Sequence, residues 1–279
     1  MQVCKTVVEM RAACRDAKRP GALGLVPTMG ALHEGHLSLV LAARSRCEVV
    51  AVSIFVNPLQ FGPTEDFAKY PRNFEQDAEM LEKAGVDLIF APSADEMYPE
   101  DATTYVTVEG LSDRLCGRSR PGHFRGVTTV VSKLFHIIGP DFAFFGQKDA
   151  AQLAMIRKMV RDLNVPVEIV RCPIVREADG LALSSRNRYL TADQRKTALV
   201  LHRSLVRVKG LYEKGRRKAA DLISAAREVF DTEPSARLDY FEIVDAETLE
   251  PQPDAAPGAL VAVAAFVGST RLIDNIVLT

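Results

Sequence analysis

A doubly wound α/β fold built on a parallel sheet, followed by a smaller C-terminal α+β domain, is what this 279-residue chain predicts. Three observations predict it. Short β-branched apolar runs alternate with amphipathic runs of helical length up to about residue 185. The turns between them pair Gly or hydroxyl residues with His, Lys or Arg, and in open α/β sheets the turns at the carboxyl ends of strands bind ligands. After Arg188 the alternation stops, and two helical runs are followed by three strand-like ones. The domains are accordingly placed at 1–185 and 186–279.

Taken in order, Thr6 with Glu9 three residues on is a capping box that opens a helix to about Lys18. Ala22-Leu23-Gly24-Leu25-Val26 reads as a short buried strand and residues 37–43 as a helix. Between them Pro27-Thr28-Met29-Gly30-Ala31-Leu32-His33-Glu34-Gly35-His36 turns from strand end to helix start. A helix start offers unbonded N–H groups and partial positive charge, which suit phosphate. Gly30 and Gly35 let backbone approach a ligand closely. His33 and His36, three apart, share a face if the helix has begun there, and two imidazoles can hydrogen-bond phosphate oxygens.

Residues 48–56 form a second apolar strand that ends at Asn57-Pro58-Leu59-Gln60, where Pro58 stops regular pairing. Asn57 and Gln60 then lie on the same sheet edge as the first turn if the strands are parallel. Their amides serve either a ligand or their own loop. Asn73 and Gln76 cap a helix ending near Gly85, and 87–90 and 105–108 read as short strands. Arg114, Gly117, Arg118, Arg120 and Gly122 make either a loop over an anionic ligand or a solvated surface loop.

A helix over 127–138 and a strand over 142–145 lead to Gly146-Gln147-Lys148-Asp149, with a helix from Asp149 to about Asn164. Lysine at a helix start opposes the helix dipole, which is unfavourable unless an anion is bound there. Asp149 and Gln152 share a face of that helix. Residues 167–170 are the next strand. Asp179-Gly180 is a hairpin turn, and Ser184-Ser185-Arg186 offers two hydroxyls and a guanidinium to phosphate oxygens. Thr191 and Gln194 form another capping box, opening a helix with the stripe Ala198, Leu201, Leu205, Val208 and Tyr212 and a stop at Gly215. A helix over 219–230 and strands over 240–244, 260–267 and 272–278 complete the chain.

Composition narrows the function classes. A formal charge of −1 with no basic stripe argues against nucleic-acid binding, which needs clustered Lys and Arg. Cys4, Cys14, Cys47, Cys116 and Cys172 are odd in number and scattered, arguing for reduced thiols over a disulfide framework or zinc site. The N-terminal residues lack a basic-then-apolar leader pattern, and no apolar run is long enough to cross a bilayer, so a cytoplasmic protein is expected.

His33/His36, Lys148 and Arg186 each set a cation on a Gly- or hydroxyl-bearing turn, suggesting a nucleoside triphosphate site without the Walker pattern. His33-Glu34-Gly35-His36 resembles the HIGH signature of nucleotidyl-transferase folds, and Leu183-Ser184-Ser185-Arg186 resembles their KMSKS loop. Residues 28–40, Ile54-Phe55-Val56-Asn57-Pro58-Leu59-Gln60-Phe61, Glu65-Asp66-Phe67 with Tyr70-Pro71-Arg72, His123-Phe124-Arg125-Gly126-Val127, Phe145-Gly146-Gln147-Lys148-Asp149 and residues 176–187 together resemble the pantoate–β-alanine ligase family, in the family's order.

That resemblance implies a Rossmann-like HIGH-type fold. It also implies ATP-dependent condensation of pantoate with β-alanine through a pantoyl adenylate, with Mg²⁺ on the phosphates and its ligands open. It places Met29, Gly30, Ala31, Leu32, His33, Glu34, Gly35 and His36 against ATP, with His36 as acid or electrophile and His33, Lys148 and Arg186 beside it in catalysis. Gly146, Gln147, Lys148 and Asp149 would hold ribose and phosphates. Val175 would hold adenine through its backbone, and Leu183, Ser184, Ser185 and Arg186 would close on the phosphates. Gln60 would touch pantoate and β-alanine, and Gln152 pantoate. Ala151 and Leu183 depart from the residues, Gln and Met, that many members carry there. The expected partners are these small molecules and a second copy of the chain, as a homodimer.

Overall fold

In the computed structural model the described residues are 1–17, 21–63, 65 and 67–279. The expected helix end at Lys18 and the motif residue Asp66 lie outside them. The elements run β1 (Gln2–Cys4), α1 (Val7–Ala17), β2 (Leu23–Thr28), α2 (Glu34–Arg44), β3 (Val49–Ile54), α3 (Phe74–Lys83), β4 (Leu88–Phe90), α4 (Ala94–Met97), α5 (Cys116–Ser119), α6 (His123–Ile138), β5 (Phe142–Gly146), α7 (Ala150–Asp162), β6 (Glu168–Cys172), α8 (Ala192–Glu213), α9 (Ala219–Asp231), β7 (Ala236–Val244), β8 (Leu260–Val267) and β9 (Thr270–Val277).

The chain forms two compact units. The first comprises Met1–Asp113, Gly117–Gly146 and Met155–Cys172, and the second Arg114–Cys116, Gln147–Ala154 and Pro173–Thr279. The expected boundary between 185 and 186 falls inside the second unit.

The first unit is a six-stranded parallel sheet in the order β1-β4-β3-β2-β5-β6. Its inner strands are buried along most of their length, which is why they read as unbroken apolar runs. Val26, Val40, Val50, Val52, Leu81, Ile89 and Phe144 belong to one buried cluster. The chain walks outward from β2 through β3 to β4, then returns to place β5 on the other side of β2. That reversal is the topological switch point, where such sheets open a crevice for ligands.

Pro27 widens the opening. β2 pairs with β3 through Thr28↔Ile54, and β5 with β6 through Gly146↔Cys172. Between β2 and β5 the pairing ends at Leu25↔Ala143. The Leu23 carbonyl accepts from the Asp141 N–H on the β5 side, and the Thr28 carbonyl accepts from the Phe55 N–H on the β3 side. Backbone groups alternate sides along a strand, so position 27 faces β5. Proline has no N–H to donate, and the ladder stops there.

One expectation is corrected in this unit, and one strand was not anticipated. Residues 105–108 form no strand. The Val106 N–H instead donates to Thr129 Oγ1 at 3.0 Å and its carbonyl accepts from Thr128 Oγ1 at 2.6 Å, so α6 side chains take the place of a neighbouring strand. Gln2–Cys4, too short to show a period, is an edge strand pairing with β4.

The second unit carries the antiparallel sheet β7-β8-β9 with α8 and α9. Ala198, Leu201, Leu205 and Val208 of the α8 stripe share a buried cluster with Leu222, Phe230, Phe241, Val261 and Val263. Thr191 and Gln194 form the expected reciprocal cap of α8, and Gly215 follows its end at φ +90°. None of the five cysteines is in a disulfide, and all five are buried. Among the described residues no helix is long and apolar enough to cross a membrane.

Candidate active site

The turn after β2 is held from outside itself. Gly30 and Ala31 both have positive φ, +78° and +51°. Asp77 on α3, 3 % exposed, accepts the Ala31 N–H at Oδ2 and the Leu32 N–H at Oδ1, both at 2.8 Å. One carboxylate thus satisfies two successive donors of a left-handed bend that alanine alone disfavours. A Cβ at Gly30 would come within 2.9 Å of that same Asp77 oxygen.

The helix start is capped by the two histidines in place of the usual hydroxyl and carboxylate. The Gly35 N–H donates to His33 Nδ1 at 3.1 Å, and the His33 N–H to His36 Nδ1 at 3.3 Å. The rings lie 4.1 Å apart between centroids. Because each Nδ1 accepts, each neutral ring carries its proton on Nε2, as a donor.

The sequence expectation of unbonded N–H groups at the helix start is narrowed by these bonds. The N–H groups of Gly30, Ala31, Leu32, His33 and Gly35 all have protein acceptors. Asp77 gave no signal in the sequence, where it reads as an ordinary acidic residue in a first helical turn.

Gln60, 8 % exposed, donates from Nε2 to Met29 Sδ at 2.7 Å and accepts at Oε1 from Asn57 Nδ2 at 3.1 Å. Asn57 is saturated. Its Nδ2 also reaches the Gly126 carbonyl at 3.0 Å, and its Oδ1 accepts from Tyr98 Oη at 2.9 Å and the Leu59 N–H at 3.3 Å. The Asn57 amide therefore serves its own loop and orients Gln60. Gly126 on α6 makes this packing possible, since a Cβ there would sit 2.3 Å from the Leu59 carbonyl oxygen and 2.6 Å from the Gln60 nitrogen.

The Gln60 carbonyl is held in turn by His123 Nδ1 at 2.8 Å and Arg120 Nη2 at 3.3 Å. Arg120 forms a two-pronged pair with Glu65, 2.7 Å from Nε and 2.6 Å from Nη2. Burial raises the Glu65 carboxyl pKa, but the Arg120 pair outweighs it and the net shift is downward. Of the Arg-rich loop, Arg120 thus serves the Gln60 backbone.

In the second unit, Gln147–Asp149 forms a single 3₁₀ turn leading into α7. Lys148 Nζ lies 3.6 Å from Asp149 Oδ2, with its side chain 23 % exposed. Asn275 of β9, 2 % exposed, donates from Nδ2 to the carbonyls of Gln147 at 2.9 Å and Lys148 at 3.0 Å, and accepts from Gln147 Nε2 at 2.8 Å. Beside it Asp274 binds Arg176 through both carboxylate oxygens, at 2.6 and 2.8 Å.

Arg176 also donates to the Gly180 carbonyl at 3.0 Å, bracing the expected Asp179-Gly180 turn, where Gly180 has φ +95°. That turn is closed by a single Arg176↔Ala182 bridge rather than by two strands. The Leu183 N–H donates to the Val175 carbonyl, and Ser184 Oγ accepts from the Arg186 N–H at 3.3 Å, leaving its hydroxyl hydrogen to donate elsewhere. Gln152 lies on the first part of α7 next to the buried Ala151.

The first unit thus brings together Met29, His33, His36 and Gln60, and the second holds Gln147, Lys148, Val175, Leu183, Ser184 and Arg186 on shared supports. Sequence reasoning missed Asp77, Gly126, Asp274 and Asn275 as supports. The last two did carry a signal, a polar pair inside the apolar run Leu272-Ile273-Asp274-Asn275-Ile276-Val277-Leu278.

Residues 2–277 match the family model described as pantoate-beta-alanine ligase. A pantothenate synthetase of Koribacter versatilis is 62 % identical over 279 residues, covering 100 % of this chain and 96 % of that protein. One from Moorella thermoacetica is 57 % identical, covering 100 % and 99 %. The crystal structure of pantothenate synthetase from Thermus thermophilus has a TM-score of 0.95 at 50 % identity, covering 99 % of each chain. That of a pantoate-beta-alanine ligase from Francisella tularensis, complexed with beta-gamma ATP and beta-alanine, has a TM-score of 0.83 at 32 % identity, covering 99 % of this chain and 97 % of that one.

Proposed function

This chain belongs to the pantoate–β-alanine ligase family, and from that premise we propose how its residues divide the reaction. The chain is an AMP-forming ligase that condenses pantoate with β-alanine at the expense of ATP. The observation that carries this is the family match across residues 2–277. In the first half-reaction the pantoate carboxylate attacks the α-phosphorus of ATP and pyrophosphate leaves. In the second, the β-alanine amine attacks the activated carbonyl and AMP leaves. No side-chain nucleophile is required.

The first step brings two anions together, so catalysis is largely charge neutralisation and orientation. We assign Met29, Gly30, Ala31, Leu32, His33, Glu34, Gly35 and His36 to ATP, with His33 and His36 donating from Nε2 to phosphate oxygens. The acceptor role of His36 Nδ1 supports a donor rather than a general acid, because a neutral imidazole giving up its Nε2 proton would become an anion. Gly146, Gln147, Lys148 and Asp149 take ribose and phosphates, Val175 the adenine, and Leu183, Ser184, Ser185 and Arg186 the phosphates. Gln60 orients pantoate and β-alanine, and Gln152 pantoate. Residues 186–279 serve to keep water from the adenylate.

Mg²⁺ enters with ATP as part of the substrate. Among the described residues no group of three or more His, Cys, Asp or Glu could hold a metal ion, and no step is routed through one. Magnesium bound mainly by substrate phosphates is common chemistry. We further propose a cytoplasmic homodimer.

An AMP-release assay tests the reaction. AMP is expected only when pantoate, ATP and β-alanine are all supplied, and pyrophosphate when β-alanine alone is withheld. AMP formation independent of β-alanine would replace the ligase by a nucleotide hydrolase, and pyrophosphate without AMP even when β-alanine is present would replace it by a nucleotidyltransferase. A second expectation concerns Gly126. Gly126→Ala pushes a methyl group into the backbone of Leu59 and Gln60, at a cost of about 1–3 kcal/mol in stability. It should raise the KM for pantoate while leaving that for ATP nearly unchanged, measured by steady-state kinetics at a temperature where the variant is folded.

A further inference from the structure

We propose that Asp274 and Asn275 are positioning residues for ATP activation. This rests on the reading that Lys148 and the 183–186 segment bind phosphates. One two-residue stretch of β9 holds both segments. Asn275 uses both Nδ2 hydrogens on the carbonyls of Gln147 and Lys148 and its Oδ1 on the Gln147 amide, which leaves the Lys148 backbone little freedom. Asp274 Oδ1 accepts the Asn275 N–H at 2.7 Å, and the same carboxylate grips Arg176. Arg176 braces the Gly180 turn and reaches the Asn275 carbonyl at 3.4 Å. From that turn the chain runs directly to Ser184 and Arg186.

Two polar side chains, 3 % and 2 % exposed, are costly in a strand that faces Val263 and Ala262 of β8. Leu or Val would suit that strand better if it were only scaffold. The hydrogen bonds explain their presence: Asn275 sets the place from which the Lys148 ammonium projects, and Asp274 ties that setting to the hairpin that delivers Arg186. Displacement of a charge-stabilising group by about 1 Å is enough to slow a reaction on the order of 10²-fold.

A double-mutant cycle on the full chain separates positioning from general stability, with pyrophosphate release from ATP and pantoate as readout. Asn275→Ala is expected to slow that step by about 10–100-fold when Lys148 is present. In the Lys148→Ala background the same change should cost less than about 3-fold, because residues acting as one unit are not additive. Additive losses would overturn the proposal and make Asn275 merely structural. Full activity of Lys148→Ala alone would instead remove the reading on which the proposal rests. Should Asn275→Ala fail to fold by circular dichroism, Asn275→Asp replaces it. That variant keeps shape and the acceptor for Gln147 but has no donors for the two carbonyls, and the same non-additivity is expected.

Discussion

Lys148→Ala is expected to slow pyrophosphate release from ATP and pantoate by on the order of 10²-fold or more, while its melting temperature stays unchanged or rises. The two halves of this expectation have one cause. Lys148 stands in the turn that opens α7, at the positive end of the helix dipole. A cation there is unfavourable for the helix, and the Asp149 carboxylate at 3.6 Å offsets only part of it. Removing the ammonium relieves that repulsion but takes away a charge aimed at the phosphates, and loss of one preorganised stabilising group costs roughly 10²–10³ in rate. Calorimetry and a pyrophosphate-coupled assay on the same sample check both. Near-normal turnover would take Lys148 out of the mechanism, and a large drop in melting temperature would make it a structural residue.

His36→Asn should slow the same half-reaction by about 10²–10³-fold. Supplied with preformed pantoyl adenylate and β-alanine, the variant should make product at a rate close to the parent's. Asparagine can still accept the His33 N–H that His36 Nδ1 now accepts, so the capped helix start survives. What is lost is the Nε2–H donor. If that donor acts by hydrogen bonding, the loss should be the same at every pH tested. A loss confined to one side of the pH profile would restore acid catalysis by His36, and equal damage to both half-reactions would mean that the ring only shapes its surroundings.

Much of the fold was legible because its signals are local. The Thr191/Gln194 cap, the α8 stripe, the apolar runs of β2, β3 and β8 and the turn after Pro27 depend on residues a few positions apart. Locality also explains the failures. Residues 105–108 have strand composition, but a strand needs a neighbour, and the backbone at Val106 found Thr128 and Thr129 instead. The Arg-rich loop could be read two ways because nothing near Arg120 in the sequence points to Glu65.

By itself the sequence determined the alternation of elements, the family motifs and the chemical character of the turns at Met29–His36, Gly146–Asp149 and Leu183–Arg186, since these are written in side-chain type and short spacing. Only the tertiary structure decided which distant residues engage the groups in those turns. Asp77 takes two N–H groups from a turn 45 and 46 residues away. Asn275 sets a lysine turn 127 and 128 residues away. Pro27 is plain in the sequence, yet its effect depends on which neighbouring strand its missing N–H faces. Hydrogen bonds are short and directional, so whether a donor is already used depends on what the fold brings within about 3 Å of it.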